Sequence, residues 1–84
     1  MQFKVRWHDK ARAVLRSLPT DVSQRIVRKI KGIENNPFHY LEHVEIDKCY
    51  KLRIGNYRAL VEVDYENKIL IVRMLDKRSR IYKR

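Results

Sequence analysis

The first apolar rhythm in the chain has a period of two. In QFKVRW, residues 2–7, Phe3, Val5 and Trp7 fall on one side and Gln2, Lys4 and Arg6 on the other, which predicts a strand with one buried face. The rhythm then lengthens. Ala11, Val14, Leu15 and Leu18 recur at the spacing of one helix face, and Asp9 stands where the positive end of the helix dipole favours an acid. Pro19 stops this helix. A second follows, capped by Thr20 or a neighbour, with Val22, Ile26, Ile30 and Ile33 as its inward stripe and Val27 at the margin. Gly32 weakens its last turn and Asn35-Asn36-Pro37 ends it. Two helices joined so tightly predict an antiparallel helix hairpin.

From Phe38 to His43 the pattern lapses into a loop, and Val44 to Asp47 either adds a short strand or merely approaches the sheet. Alternation then returns in CYKLRI, YRALVEVD and KILIVRML. Gly55-Asn56 separates the first pair and predicts a tight primed turn. Asp64 to Lys68 separates the second, with Asn67 expected at positive φ. The expected fold is therefore α+β in two layers: an N-terminal strand, a helix hairpin covering one sheet face, a three-stranded antiparallel meander and a short basic tail. It forms a single domain over residues 1–84.

Register gives the hairpin its chemistry. With Gly55 and Asn56 as the loop, Arg53 faces Arg58, Leu52 faces Ala59 and Lys51 faces Leu60. Tyr50, Leu52 and Ile54 then share the core face with Tyr57, Ala59, Val61 and Val63, while Lys51, Arg53 and Arg58 share the opposite face. A two-residue turn at Glu66-Asn67 would carry the register onward. It would set Leu70, Val72 and Met74 on the core face and add Arg73 to the basic face opposite Leu60. Like charges directly opposite one another cost roughly 0.2–1 kcal/mol per exposed pair. The acids expected on this face, Glu62 and Asp64, lie at the far end of the strand. Long side chains on a solvated face can splay apart, but arginines gathered in this way also suit bidentate contact with phosphate oxygens. The pattern favours an anion site.

Charge extends this picture beyond the hairpin. The 84 residues hold 20 Lys plus Arg against 10 Asp plus Glu, a net +10, which favours a polyanionic partner. The tail DKRSRIYKR adds Lys77, Arg78, Arg80, Lys83 and Arg84 around Tyr82, a mixture suited to single-stranded nucleic acid, where phosphates meet cations and a base meets a ring. Cys49, the one cysteine, has no internal partner and suits a reducing cytosol. No stretch approaches membrane-spanning length, so a cytoplasmic protein without a membrane partner is expected. His39 and His43 bring no further ligand set with them, so no metal site and no cofactor is expected. His8 beside Asp9 marks a helix entry.

The stretches HDKARAVLRSLPTDVSQRIVRKIKGIENNP, CYKLRIGNYRALVEV and LDKRSRIYKR resemble the RelE toxins of the RelE/ParE superfamily, and the likeness covers nearly the whole chain. The resemblance implies a fold like that of the small microbial ribonucleases, with the site on the open sheet face. It implies a metal-independent endoribonuclease that cuts mRNA in the ribosomal A site and is held inactive by a cognate acidic antitoxin, RelB-like, in a hetero-oligomer. By matched positions it assigns catalytic roles to Lys51, Arg58, Arg78 and Tyr82. Arg53, Arg73, Lys77 and Arg80 are left to bind substrate. Arg58 and Arg78 would stabilise phosphorane charge, and Tyr82 would stack on or orient the nucleotide. Lys51 would serve as base only if neighbouring cations lowered its pKa. Arg53 stands where lysine is frequent in the family and, being always protonated, binds phosphate rather than taking a proton. Two alternatives stay open. One is a ParE-like toxin that inhibits DNA gyrase without nuclease activity; the other is a degenerate member that only binds.

Overall fold

The computed structural model describes residues 2–44 and 48–77. Strand β1 (Lys4–Trp7) leads into helix α1 (Asp9–Ser17) and helix α2 (Thr20–Gly32). A 3-10 turn at Pro37–His39 follows, then strands β2 (Glu42–His43), β3 (Cys49–Ile54), β4 (Tyr57–Asp64) and β5 (Ile69–Lys77). All five strands form one sheet in the order β1-β5-β4-β3-β2. The meander expected from the sequence is its centre. Beyond it, β1 lies parallel to β5, with Lys4 opposite Ile69 and Trp7 opposite Val72. At the other edge β2 pairs antiparallel with β3. The loop expected over Phe38 to His43 thus contains a 3-10 turn and a strand. Its strand residues, Glu42 and His43, are both exposed, so no apolar alternation marked them.

The helix ends follow from local chemistry. His8 occupies the N-cap of α1, its Nδ1 accepting the backbone N–H of Lys10 at 3.2 Å, with acidic Asp9 in the first turn. Leu18, held extended by the proline after it, ends α1. Pro19 takes the cap position of α2, and its carbonyl accepts the N–H of Ser23 at 3.0 Å. Thr20 is thus the first helical residue rather than a side-chain cap.

The core lies between the helices and one sheet face. Ile26, Ile30 and Ile33 of the helical stripe, with Ala11 and Phe3, meet Leu52, Ile54, Ala59, Val61, Val63, Leu70, Val72 and Leu75, all buried. Val14, Leu15, Leu18 and Val22 pack half-buried around them. No helix covers the opposite sheet face.

The two hairpins differ. In the first, Gly55 has φ +59 and Asn56 does not have positive φ, the pattern of a type II′ turn with glycine at its first central position. A Cβ built on Gly55 meets nothing within 4 Å, so the cost of a side chain there lies in the backbone alone. Gly32, in the last turn of α2, also has open space but an ordinary φ. Gly55→Ala is therefore expected to lower stability by about 1–2 kcal/mol. Gly32→Ala should raise it by up to about 1 kcal/mol. Thermal melts of the two variants should move in opposite directions from the wild type.

In the second hairpin the loop is Tyr65 to Lys68, and Lys68 rather than Asn67 takes positive φ, at 57°. Asn67 instead binds the Asp64 carboxylate through its side-chain amide and its backbone N–H, each at 3.0 Å. These bonds, the side-chain one first, hold the Asp64 carboxyl below its ordinary value of 3.8. The stabilisation they bring is present above pH 3.8 and is lost as pH falls through the lowered folded value.

Candidate functional site

The first hairpin keeps the register that its sequence demands. Arg53 faces Arg58, Lys51 faces Leu60 and Leu52 faces Ala59. Because Leu52 and Ala59 are buried in the core, strand alternation puts Lys51, Arg53 and Arg58 on the uncovered face. Arg53 is exposed and Lys51 half-buried, but only 5% of Arg58 is exposed. Its Nη1 is a buried atom that makes no hydrogen bond among the described residues, although the side chain itself is not without interactions.

The second hairpin departs from the expected register. From Asp64–Ile69 to Val61–Val72 the pairing is as expected, but Leu60 then pairs with Met74, leaving Arg73 as an extra residue in β5. This is a β-bulge. Past it, Leu75 rather than Met74 enters the core, with 1% of its surface exposed, and Met74 sits half-buried opposite Leu60 on the uncovered face. Arg73 does not stand opposite Leu60. It is an exposed side chain 3.4 Å from the Glu62 carboxylate, an ion pair that solvent screens to about 1 kcal/mol or less.

The bulge also changes which charges meet. Asp76 becomes the cross-strand partner of Arg58, so the arginine lies between Arg53 on one side and an acid on the other. Lys51 lies between Glu42 of β2 and Leu60 of β4. Its nearest cross-strand neighbours therefore do not form the crowd of cations that a basic role for it would need. The uncovered face is thus less uniformly basic than strand alternation alone suggests. Its acids are Glu42, Glu62, Asp64 and Asp76, and its like-charged cross-strand pair is Arg53–Arg58. Half-buried Leu60, Ile69, Ile71 and Met74 give it an apolar floor.

Of the remaining candidates, Lys77 closes β5 opposite Tyr57 and lines a shallow groove with Val14, Ser17, Leu18 and Asp76 at the end of α1. It is thereby separated from the Arg53–Arg58 pair. Arg78, Arg80 and Tyr82 lie outside the described residues. His39 and His43 both pack against tyrosine rings, His39 on Tyr40 at 4.8 Å and His43 on Tyr50 at 5.1 Å between centroids. Among the described residues no group of three or more His, Cys, Asp or Glu side chains is placed to hold a metal ion.

Sequence reasoning missed Asp76, taking it for part of the tail. The available signal was VRML: Met74 and Leu75 are both apolar, which breaks the two-residue period and calls for an extra residue just before them.

A helix pair on one side of a five-stranded sheet, with arginines on the other side, defines a small α+β protein suited to a polyanion or an acidic partner. The chain belongs to the family described as the ParE toxin of type II toxin–antitoxin systems, parDE, whose model matches residues 5–82. It is thus the toxin of such a system, in the RelE/ParE superfamily. A relative in Methanocaldococcus jannaschii that carries the toxin name RelE1 is 27% identical over 88 residues, spanning 99% of this chain and 98% of that one. The fold is similar to that of the RelBE2 toxin–antitoxin complex of Mycobacterium tuberculosis, with TM-score 0.83, 22% identity and coverage of 93% of this chain and 100% of the other. It is also similar to the RelE–RelB complex of Pyrococcus horikoshii, with TM-score 0.80, 24% identity and coverage of 95% and 99%. Isolated E. coli RelE gives TM-score 0.78 at 21% identity, covering 96% of this chain and 92% of that one. No helix among the described residues is long and apolar enough to cross a membrane.

Proposed function

We propose that this toxin is a ribosome-dependent endoribonuclease that cuts mRNA in the A site, using the uncovered sheet face as its RNA surface. The observation that carries the reading is the direct pairing of Arg53 with Arg58 on that face. An unrelieved like-charge pair is unfavourable for folding, and a phosphodiester between the two guanidiniums would relieve it. The apolar floor beside them offers a surface for a base. In the reaction, the ribose 2′-oxygen forms a bond to phosphorus as the bond from phosphorus to the 5′-oxygen breaks. The products are a 2′,3′-cyclic phosphate and a 5′-hydroxyl. One proton leaves the 2′-OH and one reaches the departing oxygen. Arg58 would bind the non-bridging oxygens, where donors aimed at developing charge are worth most, and Arg53 would hold the flanking phosphate. By family resemblance Arg78 and Tyr82 would complete the site, with Arg80 and Lys77 along the RNA path. Arg73 is committed to Glu62 and would contribute least.

The protein is expected to act in the cytoplasm and to be restrained by an acidic, RelB-like antitoxin in a hetero-oligomer. The M. tuberculosis, P. horikoshii and M. jannaschii relatives of similar fold occur in complexes with RelB-type antitoxins. A net charge of +10 is well matched to such a partner. The second reading, inhibition of DNA gyrase by protein contact, is favoured by the ParE description of the family. The two separate in parallel assays on purified toxin: cleavage of a defined mRNA on programmed ribosomes against gyrase supercoiling. The interferase reading expects the first to respond and the second to stay unchanged.

A further inference from the structure

We propose that Asp76 is the positioning residue for Arg58, brought to it by the bulge at Arg73, an inference that rests on the reading of the uncovered face as an RNA site. A guanidinium with 5% of its surface exposed and another arginine directly opposite is strongly disfavoured unless an acid stands beside it. Four acids share the face, and three are placed elsewhere. Glu62 pairs with Arg73, Asp64 binds Asn67 and Glu42 faces Lys51. Asp76 alone is the cross-strand partner of Arg58. Directly opposite side chains in an antiparallel pair have Cβ atoms about 5 Å apart, within reach of an ion pair.

The placement depends on one residue. Without the extra residue in β5, Arg58 would face Leu75, and Asp76 would fall opposite Tyr57 on the helix side. With it, Leu75 enters the core and Asp76 turns to the uncovered face. The carboxylate is itself anchored, because Oδ1 accepts the backbone N–H of Lys77 at 2.7 Å. Its other oxygen remains for a cation. Asp76 thus holds Arg58 in one orientation against the repulsion of Arg53 and keeps it on the face where phosphate would arrive.

The test compares wild type with Asp76→Asn, Asp76→Ala and Asp76→Glu in two independent ways. In the free toxin, the Arg58 Nε–Hε NMR resonance reports the order of the guanidinium without reference to activity. It should be as rigid as the backbone in the wild type, mobile like that of exposed Arg25 in Asp76→Asn and Asp76→Ala, and partly ordered in Asp76→Glu. On ribosomes, Asp76→Asn should lower kcat by about tenfold or more, while KM stays level or falls because a negative charge has been removed beside an RNA site. Asp76→Glu should restore part of kcat. Arg58 order unchanged in Asp76→Asn, or a lowered melting temperature with kcat per folded molecule unchanged, would overturn the proposal. If the wild type cleaves no RNA, the RNA reading fails, and the NMR comparison still decides whether Asp76 positions Arg58. If Asp76→Asn and Asp76→Ala do not fold, Asp76→Glu carries both measurements, and full wild-type order and kcat in it would contradict the proposed geometry.

Discussion

Replacing Arg58 by alanine is expected to reduce mRNA cleavage by about 100-fold or more, the usual cost of removing one donor aimed at transition-state charge. The melting temperature should change far less than activity, because the variant removes a buried cation together with its repulsion from Arg53. Arg58→Lys should fall between the two. It keeps the charge but loses the planar fork that holds two phosphate oxygens at once, so about a tenfold loss is expected. Single-turnover cleavage with enzyme in excess, beside thermal melts of each variant, checks this. A variant that unfolds, or one that folds and cleaves at the wild-type rate, would remove Arg58 from the site.

The largest effect on stability should come from the bulge. Leu75→Ala empties a position with 1% of its surface exposed, and such truncations cost about 2–5 kcal/mol. For a domain of this size that lowers the melting temperature by roughly 10 °C or more. Met74→Ala, on a half-buried residue of the uncovered face, should cost less than half as much. An uninterrupted strand predicts the reverse order, since it puts Met74 in the core and Leu75 outside. Differential scanning calorimetry of the two variants distinguishes the registers in one comparison.

The same bulge marks where the sequence stopped being legible. The helices and the first hairpin were readable because burial, period and turn chemistry agree there. Ile26, Ile30 and Ile33 fall on one helix face, and Gly55 permits the turn that places Arg53 opposite Arg58. In β5 the pattern IVRML fits two registers, and the choice depends on whether Met74 or Leu75 fills the core better, a matter of packing across strands. That choice moved Arg73 to Glu62 and Asp76 to Arg58, and with them the charge balance of the face. β2 was invisible for a different reason: it is an exposed edge of two residues, stabilised by pairing rather than by burial. The parallel placement of β1 beside β5 likewise leaves no mark in the local sequence, since alternation specifies a buried face but not a neighbour.

The anion site was legible in part. Lys51, Arg53 and Arg58 do share the uncovered face, but the acids opposite Lys51 and Arg58 come from strands whose edges or registers the alternation did not determine. A face of mixed charge with one like-charged arginine pair is a narrower target than a broad basic surface. It implies that RNA is gripped locally, around Arg53 and Arg58.

The most direct test of that account is cleavage of a defined mRNA in the presence of EDTA, on programmed ribosomes and as bare RNA, with wild-type toxin and with Arg58→Ala. Cuts confined to the A-site codon, seen only with ribosomes and lost in the variant, are the expected result. Ribosome-bound mRNA left intact by the folded wild-type toxin, with gyrase supercoiling inhibited instead, would contradict it.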